Sequence, residues 1–320
     1  MQVTLDVKRF NPEVPNAQPY RQEYTLEIEE YFTILDTLTR IREYIDPTLS
    51  LRCSCRSYVC GSCAMRIGGH AKLACKTKVV NVVDAKGRVT VEPMRNLPVV
   101  KDLVADMKPF WNKVYAVDPW LQPQATIPER EYIVPNAAML HLTEVMNCIM
   151  CGVCVSDCTV LEVDPTFLGP AALAKAYRFV GDPRDAASTA RLNKLNERSG
   201  MWDCTRCYEC VEVCPKGVAP MYRIMGLRDK AIQAGITNTN GARHAEVIAD
   251  SVKHTGWLNE FWLLPKTYGM FNPLSLPSLL GALPVAFRAW RHKKLPPMNH
   301  KAVPGIGGIR RIFEKSEARQ

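Results

Sequence analysis

Residues 148–158 read CIMCGVCVSDC, and residues 204–214 repeat the same cysteine spacing as CTRCYECVEVC. In each run two residues separate the first three cysteines, and the fourth cysteine follows after three more residues. Two such runs are very rare by chance in a chain of 320 residues with 13 cysteines. The spacing is typical of loops that hold cubane iron-sulfur clusters. We therefore predict two cluster sites in this part of the chain.

The fourth cysteine of each run is expected to bind the cluster of the other run, as in ferredoxins that hold two clusters. The predicted ligands of the first 4Fe-4S cluster are Cys148, Cys151, Cys154 and Cys214. Those of the second site are Cys158, Cys204, Cys207 and Cys210. Because the ligands cross between the runs, metal binding and folding are expected to be coupled.

A third group of cysteines lies in residues 53–75, CSCRSYVCGSCAMRIGGHAKLAC. Four of them have the spacing of plant-type 2Fe-2S ferredoxins, in which a tight loop provides three thiolates and a later segment provides the fourth. Those four are Cys55, Cys60, Cys63 and Cys75. Zinc sites usually pair one CxxC with a second CxxC or with histidines, a pattern absent here. The remaining thiol, Cys53, is interpreted as a free cysteine beside the cluster.

The composition is that of a folded chain, with 47% hydrophobic and 23% charged residues. Its length suits about two domains. No apolar signal segment precedes the first strand, so we expect a reducing compartment and metal sites rather than disulfides. The net charge is +9, but no run of five like charges occurs, and nucleic-acid binding is not expected.

Hydrophobic periodicity predicts an α+β domain over residues 1–105. Alternating apolar residues at 3–7 and 24–28 indicate a hairpin, and helical spacing from Thr33 to Asp46 indicates a helix with a capping box. Val80, Val82, Val89 and Val91 around a turn at Lys86-Gly87 suggest a closing hairpin. Residues 99–121 are expected to be helical despite a proline at 109.

Residues 106–235 are predicted to form an all-α domain around the two later cysteine runs. Residues 236–320 form a proline-rich extension without cysteine, and within it residues 267–287 carry no charge. Five prolines and glycines interrupt that run, so a membrane span is not expected. A basic stretch follows at 288–294, and we interpret the extension as a docking segment for a partner or a membrane surface.

No GxGxxG motif, P-loop or Ser-His-Asp order accompanies the cysteines. We therefore expect no catalytic residue in this chain. Three cluster sites without a substrate site predict an electron-transfer protein whose chemistry lies on a partner. The alternative from another class is a non-catalytic metal-binding protein with zinc in these cysteines.

The order of motifs resembles the iron-sulfur subunit of succinate dehydrogenase and fumarate reductase over residues 1 to about 235. The matching residues are Cys55, Arg56, Cys60, Gly61, Ser62, Cys63, Cys75, Asp102, Leu103, Asp106, Met107, Phe110, Pro215, Lys216, Gly217 and Pro220. The resemblance implies a β-grasp 2Fe-2S domain, an α-helical ferredoxin domain and a FAD-containing flavoprotein partner that interconverts succinate and fumarate. It also implies a location on the cytoplasmic face of the inner membrane, peripheral and held through partners.

Three departures from the common family pattern concern the cluster and quinone sites. Ser57-Tyr58 replaces Glu-Gly in the first loop. Cys207 stands where common members have an aliphatic residue and a 3Fe-4S cluster, so we expect a second 4Fe-4S cluster, with 3Fe-4S as the alternative. Thr159-Val160-Leu161-Glu162 and Thr205 replace the residues of the usual quinone pocket.

These departures resemble an unconventional branch of the family, whose anchor subunits are rich in cysteine and akin to heterodisulfide reductase components. The predicted order of electron transfer is flavin, the Cys55 site, the Cys148 site, the Cys204 site and then a membrane-associated, quinone-linked acceptor. A fumarate reductase fed by methylmenaquinol or thiols is the alternative within the same family.

Overall fold

The computed structural model describes residues 1–123, 128–269 and 276–318. The chain divides into two compact units, Met1–Lys230 and Ala231–Gln320. The first unit contains all 13 cysteines, and each unit is described separately below.

A five-stranded sheet begins the first unit. Its strands are β1 (Gln2–Arg9), β2 (Tyr20–Glu27), β3 (Ala64–Ile67), β4 (His70–Leu73) and β5 (Arg88–Glu92), in the order β2-β1-β5-β3-β4. β1 and β2 pair antiparallel with Val3 opposite Leu26 and Leu5 opposite Tyr24, which confirms the predicted hairpin. The inward side chains of β1 are buried because the period of two places them all on one face.

Helix α1 (Ile34–Tyr44) packs on that buried face. The Thr33 hydroxyl accepts a hydrogen bond from the Asp36 backbone, and the Asp36 carboxylate accepts one from the Thr33 backbone. This reciprocal cap satisfies two backbone donors that the first turn leaves unpaired. The buried side of the helix consists of Ile34, Leu35, Leu38 and Ile41.

Two of the expected elements are wrong. Residues 79–81 form a single 3-10 turn, and β5 pairs parallel with β1, so no closing hairpin forms. The expected helix over 99–121 is instead a pair of short strands, β6 (Val99–Lys101) and β7 (Val104–Ala105), followed by helix α2 (Lys108–Tyr115). The Asp102 residue between the strands has a φ of 46°, which no right-handed helix allows.

A buried ion pair explains why Asp102 departs from helical geometry. Its carboxylate accepts hydrogen bonds from Arg9 Nε at 2.9 Å, from the Phe10 backbone at 3.0 Å and from the Ser50 backbone at 2.9 Å. Arg9 also donates to Asp46 at 2.6 Å. The pKa of Arg9 is raised because these carboxylates outweigh its burial. We call Arg9, Asp46 and Asp102 the Arg9 hub. It joins the end of β1 to the loops at residues 46–50 and 102.

Short helices make up the rest of the first unit. They are α3 (Asn136–Met146), α4 (Val153–Ser156), α5 (Thr159–Val163), α6 (Gly169–Val180), α7 (Ser188–Leu195), α8 (Glu209–Glu212) and α9 (Pro220–Gln233). α6 is the central helix, since it contacts α2, α3, α4 and α7. Its alanine-rich, buried sequence lets these neighbours approach closely.

The second unit contains α10 (Asn240–Thr255), α11 (Glu260–Tyr268), α12 (Leu276–Arg291) and α13 (Ile306–Glu317). α10 packs against α11 and α13, and α11 contacts α12. Among the residues described, no helix combines the length and apolar character needed to cross a bilayer. Residues 270–275, in the charge-free run singled out from the sequence, lie outside the described residues.

Asp102→Asn is expected to lower the free energy of unfolding of the first unit by about 3 kcal/mol, because the buried Arg9 guanidinium loses a charged partner. The measurement is denaturant unfolding of the anaerobic, cluster-loaded protein. Glu23→Gln, on the sheet that carries Arg9, is the matched control, since it breaks the exposed pair with Arg88 and should cost below about 1 kcal/mol. Equal losses for the two variants would contradict the assigned role of the Arg9 hub.

Candidate iron-sulfur cluster sites

The first cysteine loop wraps its backbone around the sulfur of Cys55. Backbone N–H groups of Ser57, Val59 and Cys60 donate to Cys55 Sγ at 3.4, 3.4 and 3.2 Å. Left-handed residues produce this curvature, with φ values of 52° at Arg56, 62° at Tyr58 and 75° at Gly61. Converging backbone donors of this kind form a concave site that favours negative charge, as iron-sulfur clusters carry.

The other cysteines of this group come from the edge of the sheet. Cys63 directly precedes β3 and Cys75 follows β4, and the Cys75 backbone donates to Cys63 Sγ at 3.5 Å. Burial raises the pKa of Cys63 to about 12, whereas a hydrogen bond from the Ser62 side chain lowers the pKa of Cys60 to about 6. The sheet thus brings the predicted fourth ligand to the loop.

The two later cysteine runs share one backbone geometry. Met150 and Gly152 in the first run, and Arg206 and Tyr208 in the second, occupy the same two offsets and all have positive φ between 55° and 79°. Three of these residues are not glycine, so each costs about 1 kcal/mol or more in the left-handed region. The repeated strain is compatible with two loops shaped to surround the same kind of ligand.

Cys214 returns to the loop of the first run. Cys148 and Cys214 both pack against a core cluster of Leu142, Val145, Ala174 and Val218. The nearby Cys214 thiolate adds to burial in raising the pKa of the first three cysteines of that run, that of Cys151 to about 11. The four predicted ligands of the first 4Fe-4S site, Cys148, Cys151, Cys154 and Cys214, line one apolar cavity.

The four cysteines of the third site also lie near one another. Burial raises the pKa of Cys158 and raises that of Cys210 to about 12, and the neighbouring Cys204 and Cys207 add to both shifts. Cys158 and Cys210 are buried, whereas Cys207 is exposed. The site therefore opens to the surface at Cys207, the position that departs from the common family pattern.

Within the described ranges, no three His, Cys, Asp or Glu side chains are grouped closely enough to hold a single metal ion. Zinc takes all four thiolates on one ion, whereas the four cysteines of an iron-sulfur cluster are divided among two or more irons. Cys53, the odd thiol, is half-buried beside the first loop.

The first and second cysteine loops touch directly. A Cβ built on Gly61 falls 2.6 Å from Cys151 Cβ and 3.0 Å from Cys151 Cα, so only glycine allows this approach. Arg66 on β3 donates to the buried Asp157, whose other oxygen accepts from the Ala71 backbone at 2.8 Å. Asn96 adds hydrogen bonds to backbone carbonyls of residues 155, 156 and 158. These contacts fasten the sheet to the helical region.

Sequence analysis did not predict the contacts of three cationic side chains near the cysteine loops, Lys76, Lys216 and Arg228. The Nζ atoms of Lys76 and Lys216 lie 4.0 and 4.1 Å from the centre of the Tyr58 ring, so Tyr58 joins the first loop to the segment after Cys214. Arg228 on α9 donates to carbonyls of Met201, Trp202 and Cys204, and burial lowers its pKa to about 10. The resemblance singled out Lys216 but not its contact, and none of these contacts has a local sequence signal because the partners are backbone atoms or distant residues.

Comparison with known proteins identifies both cysteine regions. The family described as "2Fe-2S iron-sulfur cluster binding domain" matches residues 4–112, and "4Fe-4S dicluster domain" matches residues 144–218. The fumarate reductase iron-sulfur subunit of Mycobacterium tuberculosis is 40% identical over 220 residues, which are 68% of this chain and 88% of that protein. The corresponding Escherichia coli subunit is 37% identical over 68% of this chain and 87% of its own length.

A mitochondrial succinate dehydrogenase [ubiquinone] iron-sulfur subunit 1 of Oryza sativa is 34% identical over 72% of this chain and 83% of its own. A chain of the Mycobacterium smegmatis Sdh1 complex in the apo form shares the fold, with a TM-score of 0.67 and 24% identity over 74% of this chain and 98% of that chain. The three relatives from M. tuberculosis, E. coli and O. sativa are all iron-sulfur subunits of fumarate reductase or succinate dehydrogenase. The chain belongs to the family of succinate dehydrogenase and fumarate reductase iron-sulfur subunits, the electron-transfer subunits of complex II-like enzymes.

Proposed function

We propose that this chain transfers electrons between a FAD-containing flavoprotein, where succinate and fumarate are interconverted, and a membrane-associated, quinone-linked acceptor. The observation that carries this proposal is the succession of three cysteine sites within one unit. Gly61 of the first loop contacts Cys151 of the second, and Cys210 of the third lies near enough to Cys154 to raise its pKa. The relatives' names, which include both succinate dehydrogenase and fumarate reductase, support the substrate pair.

The proposed ligands follow the grouping of the thiols. Cys55, Cys60, Cys63 and Cys75 hold a 2Fe-2S cluster; Cys148, Cys151, Cys154 and Cys214 hold a 4Fe-4S cluster; Cys158, Cys204, Cys207 and Cys210 hold a second 4Fe-4S cluster. When bound, such clusters accept and donate single electrons. The raised thiol pKa values mean that binding iron must displace protons from buried cysteines. The backbone N–H groups around each loop stabilise the negative charge that results.

Cys207 is the residue that distinguishes 4Fe-4S from 3Fe-4S at the third site. Its contribution to the raised pKa values of Cys158 and Cys210 supports a position among the ligands rather than away from them. A fourth thiolate completes the set that a cubane needs. We expect the completed site to have a lower reduction potential than the 3Fe-4S site of common family members.

The region of the usual quinone pocket supports a different electron exit. Thr159, Val160, Leu161 and Glu162 form helix α5 after Cys158. Glu162 pairs with Arg95 at 2.9 Å, and Thr205 stands directly after Cys204, where common members of the family have a histidine. A handoff from the exposed Cys207 edge to a membrane-anchor subunit of the cysteine-rich, heterodisulfide-reductase-like kind is therefore favoured over direct quinone binding.

The three proposed domains follow one another along the chain. Residues 1–105 form the plant-type 2Fe-2S domain, residues 106–235 the helical domain with two clusters, and residues 236–320 the docking extension. The two family descriptions, which end at residues 112 and 218, support the first two assignments. The complex is proposed to lie on the cytoplasmic face of the inner membrane.

The complex captured with the tagged full chain from anaerobically grown host cells is expected to contain an FAD protein. It should oxidise succinate with an artificial acceptor or reduce fumarate with a reduced dye. Fumarate reduction with methylmenaquinol or thiols as the only effective donors, without succinate oxidation, would favour the alternative, a fumarate reductase fed by those donors. A preparation with zinc and no acid-labile sulfide would overturn the cluster assignments, because zinc sites contain no sulfide.

EPR spectra of the anaerobically purified chain test the role of Cys207. The oxidised wild type is expected to lack a 3Fe-4S signal, and Cys207→Ala should create one because one corner of the cubane loses its ligand. Cys53→Ala is the matched control, since that thiol is assigned to no cluster and the spectrum should not change. A 3Fe-4S signal in the oxygen-free wild type that Cys207→Ala leaves unchanged would show that Cys207 is not a ligand.

Gly61→Ala should separate the first two cysteine loops, because its Cβ overlaps Cys151. We expect a free energy of unfolding about 1–3 kcal/mol below that of Gly69→Ala, and a weaker magnetic interaction between the first two centres in EPR. Gly69 is the matched control: its φ is 88°, so alanine is strained there too, but no atom lies within 4 Å of the added Cβ. Identical behaviour of the two variants would argue against the direct contact.

A further inference from the structure

Helix α12 has its apolar stripe on the outside. The stripe consists of Leu276, Leu280, Leu283, Phe287 and Trp290, which alternate steps of four and three residues and so share one face. Each of these side chains is between 53% and 64% exposed. In a surface helix of a globular protein such a face normally packs on the core. Here the core-type face of α12 is presented to solvent.

The dimensions and prolines of α12 suit a helix that lies along a surface. Its 16 residues span about 24 Å, short of the roughly 20 residues that a bilayer-spanning helix needs. Pro284 in its middle removes one backbone hydrogen bond, and the carbonyl left unpaired requires a polar partner. Water and lipid headgroups provide that partner at a membrane interface, whereas the hydrocarbon interior does not.

The charge around α12 selects an anionic partner. Residues 261–313 contain no Asp or Glu and eight Lys and Arg residues. Those are Lys266, Arg288, Arg291, Lys293, Lys294, Lys301, Arg310 and Arg311. Arg288 lies between Phe287 and Trp290 of the stripe, and Arg291, Lys293 and Lys294 come directly after Trp290. Aromatic rings at headgroup level and long basic side chains that reach lipid phosphates are the usual anchors of an interfacial helix.

We propose that α12 binds this chain directly to the surface of an anionic lipid bilayer. The helix lies in the plane of the interface, with the Leu276 to Trp290 stripe in the acyl boundary and Arg288, Arg291, Lys293 and Lys294 at the phosphates. This goes beyond the proposed electron-transfer function, because it requires neither an anchor subunit nor a redox reaction. The lipid contact can therefore be tested without measuring enzyme activity.

The test is co-sedimentation of the purified, cluster-loaded full chain with vesicles. Vesicles of phosphatidylcholine mixed with an equal part of phosphatidylglycerol are compared with vesicles of phosphatidylcholine alone. Binding is expected on the mixed vesicles, weak on the neutral ones, and reduced by added salt because the headgroup attraction is screened. Equal binding to both kinds of vesicle, or binding that salt leaves unchanged, would overturn the anionic specificity.

Two variants of α12 separate the apolar and the charged contributions. Leu283→Gln with Phe287→Gln is expected to weaken binding by at least about tenfold, because two large side chains leave the acyl boundary. Arg288→Gln with Arg291→Gln should weaken binding to the mixed vesicles by about fivefold for each charge removed. Since all four side chains are exposed, folding should be preserved, and far-UV circular dichroism of the full chain serves as the check on helix content.

Tyr44→Gln is the matched control, because Tyr44 is 80% exposed on α1 in the first unit and should not affect vesicle binding. Three outcomes would overturn the proposal. The first is unchanged binding of both α12 variants. The second is a chain that does not bind vesicles but forms dimers, and loses those dimers when Leu283 and Phe287 are substituted. A second copy of the chain would then cover the stripe. The third is membrane association only when a separate anchor protein is present.

Discussion

The helical region depends on one constraint, the crossing of the two cysteine runs. Cys214 of the second run lies at the loop of Cys148, and Cys158 of the first run lies near the other three cysteines of the second. The two runs are separated by more than 40 residues, and the helices between them must bring each fourth thiol to the opposite loop. α6 is the element around which this happens, because its small buried side chains let α3 and α4 pack closely. Four half-buried thiols line one apolar cavity and repel one another once ionised, so the cluster proposed there would stabilise the arrangement.

The second constraint is the short distance between the sheet and the helical region. Gly61 allows the first loop to rest on Cys151, and Asp157 accepts hydrogen bonds from Arg66 and Ala71 of the neighbouring strands. Asp157 directly precedes Cys158, so the same carboxylate that fastens the sheet also fixes the start of the third site. Packing that joins the domains and packing that positions the thiols are therefore one network. The contacts that join the sheet to the helical region therefore also hold the proposed cluster sites beside one another.

The prediction from sequence succeeded where the signal was local. The hairpin of β1 and β2 and the capped helix α1 follow from periodicity and from one Thr-Asp pair, and the structure confirms them. The helix expected over 99–121 was wrong because the buried Arg9 guanidinium holds Asp102 in a left-handed conformation. The expected closing hairpin was wrong because β5 pairs parallel with β1, a long-range choice that no local turn signal encodes. β3 and β4 were missed because the cysteine loop dominates the pattern around them.

The sequence by itself determined the number, spacing and chemistry of the cysteine groups, since ligand spacing within a loop is set by a few consecutive residues. It also determined that residues 261–313 of the extension contain Lys and Arg but no Asp or Glu. Only the tertiary structure decided which loops touch, because Gly61 and Cys151 are brought together by long-range packing. It likewise decided that the apolar face of α12 is presented to solvent. Periodicity shows that a helix has an apolar face, but what covers that face depends on which elements the whole fold places beside it.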